Sequence, residues 1–163
     1  MMYKALLAAV LILLGLAAYG ADQGRATNLF ADTAKNAAAV TASGTGTTRF
    51  YGRDGAPAGR TDTSQKTTRF YDRDGAAAGR ADRIGNTIRF YGKDGSPDGR
   101  AEISGKTTRY YNKDGAAAGR ADISGSTTRF YGADGSPAGR ADSSGKTVRF
   151  YNKDGAAVGR ADR

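Results

Sequence analysis

The sequence predicts an all-β fold of tandem 20-residue β-hairpin repeats forming a twisted or coiled antiparallel array. Three observations predict it. Residues 47–66, TTRFYGRDGAPAGRTDTSQK, recur as near-copies beginning at Thr67, Thr87, Thr107, Thr127 and Thr147, without insertion. A fixed period of this size marks a repeat architecture, in which each unit buries its apolar face against its neighbours. Turn residues recur every ten positions, and the stretches between them, such as Thr47-Thr48-Arg49-Phe50-Tyr51, are rich in β-formers.

Residues 1–20 read as a signal peptide. Lys4 gives a positive start, residues 5–18 are apolar, and Ala18 and Gly20 place small side chains before Ala21. The apolar run is shorter than the ~20 residues of a membrane span, and the pattern is that of a segment removed on export. The expected location is therefore the periplasm, cell surface or extracellular space. Residues 21–46 lie outside the repeat. They read as a linker or a short N-terminal capping helix, with Thr27 or Asn28 as N-cap and Leu29, Phe30, Ala37 and Val40 near one face.

Residues 47–163 are six tandem repeats. Gly52-Arg53-Asp54-Gly55 suits a three-residue hairpin loop, a type I turn closed by Gly in the left-handed region. Asp122-Ile123-Ser124-Gly125 has the same grammar ten residues on, with Gln65 the departure at that Gly. Pairing strands through such turns sets Tyr51 opposite Pro57, Phe50 opposite Ala58, Arg49 opposite Gly59, and Ala58 beside Phe70. One face then carries Phe alternating with Ala, and the other Tyr alternating with Ala or Pro, large beside small. The same register sets Asp98 beside Tyr110, the one Tyr at a position otherwise held by Phe. Pro57, Pro97 and Pro137 occur in alternate repeats with Gly52, Gly92 and Gly132, so the finer period is forty, and a bend is expected near each Pro. A flat sheet of twelve strands exceeds the ~10 at which open sheets curl. A two-sided β-solenoid is the alternative arrangement. Low-complexity disorder is the other, because Leu, Ile, Val and Phe make up about 14 of the 143 residues after position 20, below the ~20% of ordinary domains.

The string RFY-(G/D/N)-x-D-G-x-x-x-G-R-A is similar to the units of small exported bacterial tandem-repeat proteins of the TRFYDxxGRxxGRA type. It resembles, more distantly, the YD repeats of RHS-type proteins, although only Tyr71-Asp72 is literally Tyr-Asp. The resemblance spans residues 47–163 and implies export and β-hairpins, with no activity. The period also matches the hairpins of choline-binding modules, but their Trp-Tyr cages have no counterpart in a chain with no Trp.

Composition narrows the chemistry. There is no Cys and no His, which removes thiol chemistry, the usual general base and the commonest zinc ligand. Asp72-Arg73-Asp74-Gly75 resembles part of a calcium loop, but the closing Glu is missing and Lys93, Lys113 and Lys153 sit in the equivalent triplets. No catalytic residue, metal or cofactor is expected, and the chain reads as a non-enzyme. The net charge of +9 suits anionic neighbours.

The binding candidates are Arg–Tyr pairs on one predicted face: Arg49 and Tyr51, Arg69 and Tyr71, Arg89 and Tyr91, Arg109 and Tyr111, Arg129 and Tyr131, Arg149 and Tyr151. Arg beside an aromatic ring stacks on it, and a row of such pairs suits sugar rings or an anionic polymer. The second row, from Arg60 to Arg160, reads as structural. The expected function is a surface or envelope binding module for anionic polysaccharide or another polyanion. Export argues against nucleic acid. The competing expectation is a structural protein that self-associates end to end through open strand edges.

Overall fold

The computed structural model describes residues 45–163, so the signal peptide and the capping helix read from the sequence lie outside the described residues. Twelve strands follow in order: β1 (Gly46–Gly52), β2 (Pro57–Ser64), β3 (Thr67–Tyr71), β4 (Ala77–Ile84), β5 (Thr87–Gly92), β6 (Pro97–Ser104), β7 (Thr107–Tyr111), β8 (Ala117–Ser124), β9 (Thr127–Gly132), β10 (Pro137–Ser144), β11 (Thr147–Asn152) and β12 (Ala157–Asp162). Each pairs antiparallel with its sequence neighbours, and β1 pairs with β12, so the hairpin array coils into a closed barrel. The seam runs from Arg49 opposite Asp162 to Gly52 opposite Gly159. Closure corrects the premise of end-to-end joining: β1 and β12 use their edges on each other, and no strand edge among the described residues is left open.

The turns at one end form as the sequence implies. Gly55 adopts φ 82°, its amide donates to the Gly52 carbonyl, and the Gly52 amide donates to Ala56. The forty-residue period has its origin here, in two ways of holding the same turn. Where the first position is Gly, the third-position Asp accepts the amide two residues on, as Asp54 does from Ala56 at 3.0 Å. Where the first position is Asp or Asn, that side chain takes over: Asn112 Oδ1 accepts the amides of Asp114 and Ala116. The two are mutually exclusive, since a Cβ at Gly52 would lie 2.9 Å from Asp54 Oδ1. Ser96 strengthens the first form by donating both its amide and hydroxyl to Asp94, and these bonds hold that carboxyl below its usual range.

The other turns differ from expectation. They are two-residue loops, Gln65-Lys66 and its equivalents, with φ near +60° at the first residue, as a II′ hairpin requires. Gln65 takes the same shape at φ 53°. Asp62 and its equivalents therefore belong to strands, not to turns.

Register also departs from simple counting. Tyr51 does face Pro57, but Phe50 faces Gly59, so Ala58 is an extra residue in a β-bulge. The bulge recurs in all six hairpins, beside Ala77 as beside Pro97, so proline is not its cause. Gly59, Gly79, Gly99, Gly119 and Gly139 follow it at φ between 133° and 151°, a backbone that other residues avoid. A bulge bends its strand and raises local twist, and six of them curl the sheet toward closure.

Below the bulge, alternate side chains point inward. Phe50, Phe70, Phe90, Phe130 and Phe150, with Tyr110 in the sixth place, form a buried ring. Ala81, Ala101, Ala121, Ala141 and Ala161 fit between them, and Thr48, Thr68, Ile88, Thr108, Thr128 and Val148 form the next layer. Apolar groups face in and Arg, Asp and Thr face out at mid-strand, the reverse of a barrel wall that contacts lipid.

Tyr110 is 2% exposed, and neither its hydroxyl nor that of Thr108 has a hydrogen-bond partner of good geometry among the described residues. Asp98, expected beside it, is exposed on the far side of the bulge. Burial pushes the Tyr110 phenol well above its ordinary range, and the nearby Thr108 hydroxyl offsets this only in part. Tyr110→Phe, which restores the residue of the other five repeats, is expected to raise stability by about 1–3 kcal/mol in chemical denaturation. The gain grows above about pH 10, where the unfolded chain ionises this phenol and the folded chain does not. A loss of stability would mean that the hydroxyl has a buried partner.

Candidate functional site

The outer wall carries the charged residues of the repeat. Alternation along β1 sends Thr47, Arg49 and Tyr51 outward, and along β2 it sends Arg60 and Asp62 outward. The registers set Arg60 opposite Arg49 on one side and Tyr71 on the other, and Asp62 opposite Thr47 and Arg69.

One unit of four side chains results, spread over three strands. The Arg60 guanidinium carbon lies 4.2 Å from the centre of the Tyr71 ring. Its Nε donates to Asp62 Oδ2 at 3.4 Å, and Thr47 Oγ1 donates to Asp62 Oδ1 at 2.7 Å. The arrangement recurs at Tyr91, Arg80, Asp82 and Thr67. It crosses the seam, where Arg160 covers Tyr51 at 4.5 Å and bonds Asp162, which accepts from Thr147. Glu102 replaces Asp in one unit and still accepts from Arg100 at 3.1 Å. Burial works to raise the Asp162 carboxyl, but the bonds from Thr147 and Arg160 outweigh it and hold the group below its usual range. These units are half-exposed, so each ion pair is worth at most ~1 kcal/mol on its own.

The candidate residues are thus redistributed. All six Arg–Tyr pairs read from the sequence lie on the outer wall, but the cation over each Tyr ring comes from the Arg60 row. Two departures from simple counting explain this. The bulge turns Arg60 from the Phe face to the Tyr face, and the two-residue turn sets it directly opposite Tyr71. The position of Gly59, one residue before each Arg of that row, was the available sign.

Arg49, Arg69, Arg89, Arg109, Arg129 and Arg149 remain exposed. Each stands between an acid on one flank and an Arg on the other, as Arg69 does between Asp62 and Arg80. None of the six takes part in an ion pair among the described residues. A shallow cleft of about 180 Å³ lies where Arg69, Arg80 and Lys93 converge beside Tyr71. Three cations around a small open cleft suit one carboxylate or sulfate group. No protein-family model matches the chain, and no curated protein matches it.

Proposed function

We propose that this is an exported, non-enzymatic repeat protein whose outer wall binds anionic polysaccharide or a similar polyanion. The observation that carries the reading is the row of six exposed Arg residues, from Arg49 to Arg149, standing outside the ion-pair network at equivalent places around the wall. The Arg60 row is committed to Tyr and Asp, so it holds the wall in shape and adds positive potential. The outward row is left to meet a ligand. Its spacing repeats with each hairpin, which favours a polymer with charges at intervals over a single small anion.

Retention on a heparin matrix tests this. Replacing the six outward Arg by Gln is expected to move elution to much lower salt and weaken binding tenfold or more, with the strand spectrum unchanged. Unchanged retention overturns the reading. Replacing the Arg60 row instead is expected to reduce stability, because it strips the cover from six Tyr rings and leaves six acids without their partner.

A further inference from the structure

We propose that the barrel end formed by the two-residue turns docks face-on against an anionic lipid bilayer. The two ends differ in charge. The turns at 64–67, 84–87, 104–107, 124–127 and 144–147 contain Lys66, Lys106 and Lys146 and no acid. Arg83 and Arg163 stand beside them at the same end. The opposite end is mixed and slightly acidic: every turn there carries an Asp, with Asp72 besides, and these acids outnumber the Arg53, Arg73, Lys93, Lys113 and Lys153 that share the turns. The acids nearest the basic end are those of the Asp62 row. They lie in the strands and are held by Thr47, Arg60 and their equivalents.

Two features favour a flat bilayer over a soluble polymer. Lys66, Lys106 and Lys146 sit in alternate hairpins, so they spread around the rim of the closed barrel. A rim of cations in one plane meets a plane of headgroups at all three points, whereas a linear chain reaches one flank at a time. Ile84 supplies the apolar element. It is 62% exposed at the tip of its hairpin, where the other four hairpins have Ser64, Ser104, Ser124 and Ser144. Lysines around an exposed aliphatic side chain combine attraction to anionic headgroups with shallow insertion. The chain also enters the barrel here, since Gly46 pairs with Thr63.

The test is co-sedimentation of the protein recovered after export with vesicles of phosphatidylcholine, alone or with a third phosphatidylglycerol. Binding is expected on the mixed vesicles and not on phosphatidylcholine alone. The triple variant Lys66→Gln, Lys106→Gln, Lys146→Gln is expected to weaken partitioning by at least tenfold, given about fivefold for each cation at such a surface. Ile84→Ser, the residue of the other hairpins, is expected to weaken it severalfold without disturbing the fold. The six outward Arg→Gln changes should leave it nearly intact, while the tip variants should keep heparin retention. That contrast separates this inference from the wall reading. Absence of binding to anionic vesicles overturns the inference, as does unchanged binding by the tip variants. Loss of vesicle binding on changing the wall alone overturns it too and assigns lipid contact to the wall.

Discussion

A chain ending at Gly155, without β12, is expected to lose the closed barrel and sediment as concentration-dependent oligomers. β12 pairs with β11 through the last turn and with β1 through the seam. Removing it exposes both those edges at once. It also takes away Arg160 from the Tyr51 ring and Asp162 from Thr147. Phe50 loses Ala161 as its inward neighbour. An open array can only sum the contacts between successive units, whereas closure ties its first unit to its last. The loss is therefore on the scale of the whole ~5–15 kcal/mol by which a domain is stable. Long unpaired edges then seek another chain, the hazard that closure removes. Sedimentation velocity across a range of concentrations reads the outcome, beside the full-length protein as the reference. A truncated chain that stays monomeric with an unchanged strand spectrum would show that the seam is dispensable.

Gly99→Ala is expected to destabilise the barrel by about 3 kcal/mol, the cost of a strained backbone with a collision added. Gly99 lies just after its bulge at φ 133°, and a Cβ there would sit 2.5 Å from the Tyr111 carbonyl oxygen of the next strand. The obstacle is backbone held in a ladder, so it cannot turn aside as a side chain would. Gly95→Ala in the same hairpin is the control. Gly95 also has positive φ, 82°, but nothing lies within 4 Å of its Cβ position. Its cost should be about 1 kcal/mol, the conformational term alone. Thermal unfolding separates them, with a fall on the order of 10 °C for Gly99→Ala and a few degrees for Gly95→Ala. Equal effects would mean that the sheet yields at the bulge and that the close approach carries no cost.

Much of this architecture was legible in the residues. Asp54-Gly55 and its equivalents specify a turn by local chemistry alone, and it forms as read. The Phe positions mark one face of each odd-numbered strand because side chains alternate with period two. The second turn was misread because Asp62 with Gly or Gln three residues on satisfies the grammar of a longer loop. The choice went to the two-residue turn because Asp62 has better use within β2, accepting from Thr47 and Arg60. The bulge at Ala58 was invisible for a related reason. One extra residue leaves no mark on composition, and its clue, Gly59, is also explained by close packing.

The candidate site followed the same division. That Arg and Tyr share the outer wall came from alternation. Which Arg meets which Tyr depended on register, and a slip of one residue moves a whole strand's side chains to the other face. The bulge supplies that slip in every hairpin and the two-residue turn sets the next register, so Arg60 covers Tyr71 and the outward Arg row is left to solvent.

By itself, the sequence determined the strand count, the first turns, the Phe face and the positive charge, because these rest on contacts within ten or so residues. Only the tertiary structure decided that the array closes, that Arg160 covers Tyr51, and that the charges sort into a wall and two unlike ends. Those features depend on β1 meeting β12 across more than a hundred residues of chain. No local pattern encodes that meeting; it is the sum of the twist and bend contributed by six bulged hairpins.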